Sequence, residues 1–139
     1  MSKNKTGFFD SIWPKLNTKK DSIAPLRNCQ MICFYLTISY VLNALFNYGG
    51  INLWDDKPMD QFEQIFMPLW FLLFAILFLW LGFRIRQNKF GTVPYISVWC
   101  IFESIITTMV APQGFVVRLI AAAICVACLR AWFFQRKFK

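Results

Sequence analysis

The sequence predicts an all-α fold, an integral membrane four-helix bundle with both termini inside, and three observations carry that prediction. Of 139 residues, 58% are apolar and 19% aromatic, while only 16% are charged. An average soluble domain is roughly 45–50% apolar and about 25% charged, and one of this size buries only about two-thirds of the surface its unfolded chain exposes. So much apolar surface needs lipid as its solvent. Second, four stretches near residues 28–48, 65–83, 92–111 and 115–134 each supply the run of about 17–25 predominantly apolar residues that a bilayer-crossing helix requires. Third, the charges outside these stretches alternate in sign from one side to the other.

A basic tail, residues 1–27, precedes the membrane domain, residues 28–139. The tail carries Lys3, Lys5, Lys15, Lys19, Lys20 and Arg27 against Asp10 and Asp21. Within it, Phe8, Phe9, Ile12, Trp13 and Leu16 share an arc of about 140° at 100° per residue. That pattern predicts a short amphipathic helix anchored in the inner interface against anionic lipid. The first 27 residues are too polar for the apolar core of a secretory signal.

Span one ends at a loop that carries Asp55, Asp56, Asp60 and Glu63 against Lys57 alone. Arg84, Arg86 and Lys89 follow span two, and Arg130, Arg136, Lys137 and Lys139 close the chain. Basic residues flank the cytoplasmic ends of spans, and four crossings return both termini to one side. The acidic loop is therefore expected outside, with both termini cytoplasmic and a bacterial inner membrane as the simplest home. Leu53, Trp54, Met59, Phe62 and Phe66 interleave with the loop's acids, which suits a segment hugging the outer interface. Its acids lack the ligand spacing of a calcium loop and read as a solvated face.

Span two is rich in Phe, Leu and Trp all round, without a polar stripe, and is expected to face lipid or another apolar protein. Pro68 is expected in its first turn, where a missing N–H costs little. Pro94 takes the same place in span three, and Ala111-Pro112-Gln113-Gly114 reads as a tight turn joining spans three and four.

Polar residues at bilayer depth are the candidates for function. In span one, Thr37, Tyr40, Asn43 and Asn47 form a stripe that must face other helices or a wet cavity, because amides and hydroxyls need partners in hydrocarbon. Span three holds Glu103, the single carboxylate at that depth, with about 11 residues before it from Thr92 and about 8 after it to Ala111. Intramembrane carboxylates mark ion pairs, proton relays or pathways. An antiparallel turn at Pro112-Gln113 brings Arg118 of span four level with Thr107, about 6 Å along the axis from Glu103 at 1.5 Å per residue. A Glu103–Arg118 pair is one expectation; Arg118 snorkelling to water beside a proton-exchanging Glu103 is the other. Ala123, Ala127 and Ala131 recur every four residues, a small-residue face for close helix packing.

Several functions fall away. The chain has no histidine, which removes His-based zinc catalysis, Ser-His-Asp and Cys-His nucleophiles and imidazole bases. Cys29, Cys33, Cys100, Cys125 and Cys128 all fall at mid-depth or in the inner half, away from any oxidising loop. They are read as small apolar side chains rather than metal ligands. No cofactor is expected, and the net charge of +8 reads as a topology signal rather than a nucleic-acid footprint. The expected role is a non-enzymatic accessory, assembly or regulatory subunit that docks on another membrane protein or on its own copies. The alternative is a small oligomeric transporter or channel that uses Glu103.

Overall fold

The computed structural model describes residues 13, 15–50, 60–110 and 112–137. Four α-helices follow in order: α1 (Ile23–Tyr48), α2 (Gln61–Arg86), α3 (Val93–Val110) and α4 (Phe115–Arg136), with a 3-10 turn at Phe90–Thr92 ahead of α3. No strand occurs among the described residues. All four helices, α3 counted with its leading turn, are long and apolar enough to cross a bilayer. Their length and composition mark the chain as a multi-pass membrane protein.

Local chemistry sets the helix ends. α1 begins five residues before the apolar run, because Pro25 fits a first turn. The turn before it is tied together by Asp21, whose carboxylate accepts the N–H groups of Thr18 at 2.8 Å and Asn17 at 3.2 Å. Those bonds, the Thr18 amide foremost, hold the Asp21 carboxyl below its ordinary value. Their contribution to stability is therefore present above the usual carboxylate range and fades as pH falls through the depressed value. α2 also begins early. Asp60 and Glu63 form a capping box, with the Asp60 carboxylate accepting from Gln61 N at 2.7 Å and Glu63 accepting from Asp60 N at 3.2 Å.

That early start corrects one expectation. Pro68 lies well inside α2 rather than in its first turn, and it is buried. It removes one donor from the backbone ladder, which membrane helices tolerate where neighbouring groups compensate. At the far end, Asn88 takes a left-handed φ of 62° and its amide bonds back to Ile85 O at 2.8 Å. Gly114, the residue capping the start of α4, also takes a left-handed φ, 76°, a conformation glycine adopts without a side-chain penalty.

α1 is the hub. Its most extensive interface is with α2, and it also packs on α4 and α3, while α3 and α4 form the hairpin anticipated from the turn. Span two is thus not lipid-facing all round: Pro68, Ala75, Phe78, Gly82 and Ile85 are buried. The core runs through Leu26, Cys29, Cys33, Leu36, Ile85, Val93, Ile96, Cys125, Cys128 and Ala131. The small-residue face of α4 is used inside the chain, with Ala127 and Ala131 buried and Ala123 half-buried. Of the proposed tail anchor, Phe8, Phe9 and Ile12 lie outside the described residues. Trp13 and Leu16 are not helical, a break that Pro14 favours because a proline disfavours helical backbone in the residue before it. Leu16 packs against the core, and the Arg130 guanidinium lies 4.9 Å over the Trp13 ring.

Burial on the hairpin is lopsided. On α3 it is confined to Val93, Ile96, Ser97 and Cys100, all in the first half, and on α4 to Ala121 and beyond. The hairpin therefore packs on α1 near the termini and stands away from it towards its own turn. The helices α1 and α2 approach closely at Gly82, where an added Cβ would meet Cys33 Cβ at 3.1 Å, whereas one at Gly91 would meet nothing within 4 Å. Gly82→Val is expected to destabilise the fold by about 1–3 kcal/mol through overpacking, and Gly91→Ala to leave it unchanged, in reversible unfolding in detergent micelles.

Candidate functional site

Where the hairpin stands away from α1, a cleft of about 280 Å³ opens between α1, α3 and α4. Tyr35, Leu36, Ser39 and Asn43 line it from α1, Cys100, Glu103, Ser104 and Thr107 from α3, Gln113 from the turn and Arg118 from α4. It reaches from the level of Cys100, in mid-helix, to the turn at Gln113. The lining is largely polar and includes one carboxylate and one guanidinium. At roughly 30 Å³ per water, such a space has room for several.

Tyr40, outside the lining itself, fixes the position of Glu103. Its ring stacks on three phenylalanines of α2, with centroids 6.0 Å from Phe71, 5.5 Å from Phe74 and 5.7 Å from Phe78. Trp99 of α3 closes the group against Phe74 at 5.4 Å. Held there, the Tyr40 hydroxyl donates to Glu103 Oε2 at 2.9 Å and accepts the Trp99 indole N–H at 3.0 Å. One hydroxyl thus joins α1 to two residues of α3, four positions apart and one helical turn from each other. On the opposite wall, Arg118 Nη1 donates to the carbonyl of Thr107 at 3.0 Å, the level that the antiparallel register predicts. Glu103 and Arg118 face the same cleft from adjacent helices.

The stripe of span one divides its work. Thr37 donates to Cys33 O at 2.8 Å and comes within 3.4 Å of Ala75 O, facing α2. Tyr40 turns to Glu103. Asn43 lies in the cleft and donates to Ser39 O at 2.9 Å, and buried Asn47 donates to Asn43 O at 2.7 Å. Reading the sequence for one stripe missed Tyr35, whose spacing with Ser39 and Asn43 at i, i+4 and i+8 makes a second one. It also missed Phe71, Phe74 and Phe78, which share a face at i, i+3 and i+7 but carry no polar atom to distinguish them from lipid-facing neighbours.

Below the cleft the bundle is closed by cysteines packed among Leu26, Ile85, Val93 and Ile96. Cys29, Cys33, Cys100, Cys125 and Cys128 are all buried free thiols. Cys29 neighbours Cys128 and Cys33, and Cys100 neighbours Cys125. Cys128 Sγ donates to Pro25 O at 3.1 Å. Among the described residues, no three His, Cys, Asp or Glu side chains are arranged to hold a metal ion. Asp60 and Glu63, two acids of the loop after span one, are engaged in capping α2.

A double-mutant cycle tests the central bond. Tyr40→Phe and Glu103→Gln, made singly and together, are expected to couple by about 0.6–1.7 kcal/mol, between the average and the maximum found for hydrogen bonds between membrane helices. A coupling near zero would show that the bond contributes nothing to the fold. No known protein family, no curated protein and no solved structure matches this chain.

Proposed function

We propose that this chain is a small, non-enzymatic transporter or channel that works as an oligomer, with Glu103 as its intramembrane proton or ion site. One observation carries the reading: a carboxylate and a guanidinium, Glu103 and Arg118, face a single polar cleft at bilayer depth. Ionisable groups in spans are costly and by default functional. An interhelical staple alone would need the Tyr40 bond but not a cleft lined by Ser39, Asn43, Ser104 and Gln113 as well. Four helices enclose little volume, so a complete pathway calls for more than one copy. The orientation follows the charge pattern, with both termini cytoplasmic, the tail's aromatic residues at the inner interface and the bacterial inner membrane as the home.

A second reading, an accessory or assembly subunit of a larger membrane complex, draws on α2. Its face away from α1 exposes Ile65, Leu69, Leu73, Ile76 and Trp80, a surface suited to lipid or to an apolar partner. The small-residue face of α4 adds nothing to that reading, because Ala127 and Ala131 are spent inside the bundle. The cleft reading is therefore the stronger.

In liposomes reconstituted with the purified chain, a potassium–valinomycin potential is expected to drive proton flux, read by an entrapped pH-sensitive dye. Glu103→Gln is expected to bring that flux down to the level of protein-free liposomes while its helical circular dichroism stays unchanged. Flux through Glu103→Gln equal to that of the unsubstituted chain would overturn the reading. Reporters fused ahead of Met1 and after Lys139 are expected on the same, cytoplasmic side.

A further inference from the structure

A second cleft, of about 460 Å³, lies at the opposite end of the bundle, where the α2–α3 connection meets the end of α4 and the turn before α1. Lys19, Asn88, Phe90, Gly91, Pro94, Tyr95, Trp132, Gln135 and Arg136 surround it, with two cations and no acid among them. The nearest acid in sequence, Asp21, is engaged with the Thr18 and Asn17 amides. Its walls are also preorganised. Arg27 donates to Asn88 Oδ1 at 3.1 Å, which fixes the connection against α1 and leaves the Asn88 amide nitrogen as a donor. Arg136 stacks 4.3 Å over the Trp132 ring, so its guanidinium is held at the rim by one face while its N–H edge stays available. Tyr95 is 77% exposed, with its aromatic body on the helix flank, as interfacial tyrosines are.

From this arrangement we propose that the cleft binds a phosphate group, supplied by the headgroup of an anionic lipid. Lys19 and Arg136 line one cleft where the helices leave the apolar layer, which is the placement of lipid phosphates. Basic pockets between helices at a membrane surface recognise such headgroups. The guanidinium suits phosphate geometrically and the ammonium suits it as a point charge. Phe90, Pro94 and Trp132 offer apolar surface beside the charges for the first carbons of an acyl chain. Gly91 leaves the floor open, since a Cβ there meets nothing within 4 Å.

That open floor allows a test with little steric interference. The full chain in detergent is titrated with phosphatidic acid or phosphatidylcholine, and bound lipid is counted by native mass spectrometry. Phosphatidic acid is expected to be retained and phosphatidylcholine not. Replacing both cations, Lys19→Ala with Arg136→Ala, is expected to weaken retention by about tenfold or more, at about 1 kcal/mol per basic residue. Gly91→Glu is expected to do the same by placing a carboxylate in the cleft, and Gly91→Gln, of equal size, to retain the lipid. Inorganic phosphate alone, titrated by calorimetry, separates the sources. Binding abolished by the same variants would assign the same chemistry to a soluble phosphate, and its absence beside lipid retention assigns it to the headgroup. Equal retention of the two lipids, or phosphatidic acid held undiminished by the double variant and by Gly91→Glu, would overturn the proposal.

Discussion

A carboxylate carried into hydrocarbon must find partners inside the protein, and the architecture of this chain is arranged around that requirement. Glu103 finds the Tyr40 hydroxyl, which is in turn engaged by Trp99. The Tyr40 ring cannot swing away without leaving the phenylalanines of α2. Aromatic pairs of this kind contribute about 0.5–1.5 kcal/mol each beyond their burial. Apolar stacking thus fixes the direction of a polar bond. The α1–α2 pair acts as a rigid mount, and the α3–α4 hairpin brings the charge to it.

The two ends of the bundle do different things with the same helices. Near the termini, Cys, Ala and Ser side chains let α1, α3 and α4 approach closely, as small residues do between membrane helices. Towards the hairpin turn, α3 and α4 fully bury none of their residues, and the space is taken by half-buried polar side chains instead. Small residues at one end and polar ones at the other give a wedge, closed below and open above.

How much of this was legible in the sequence depends on which physical signal was being read. Apolar run length placed all four helices, and Pro112-Gln113-Gly114 placed the hairpin, because both signals are local. Helix ends were less visible: the box formed by Asp60 and Glu63 moved the start of α2, and with it Pro68 became an interior residue. Glu103 and Arg118 stood out as charges in apolar runs, and the turn register gave their relative depth. The partner of Glu103 did not stand out. Tyr40 was one of four polar residues in its stripe, and which of them meets α3 is set by helix rotation about α1, a tertiary quantity. Phe71, Phe74 and Phe78 were hidden for a related reason, since phenylalanine at a protein interface and phenylalanine against lipid look alike in a sequence.

The blind end of the cleft has an electrical consequence. Once water fills the space down to Cys100, the conducting phase extends from one face into mid-membrane. The transmembrane voltage then falls chiefly across the remaining dry seam of thiols and methyl groups. One elementary charge crossing the full potential gains about 2.3 kcal/mol per 100 mV, and with Glu103 as the proposed proton or ion site most of that work would be concentrated over the few helical turns beneath it.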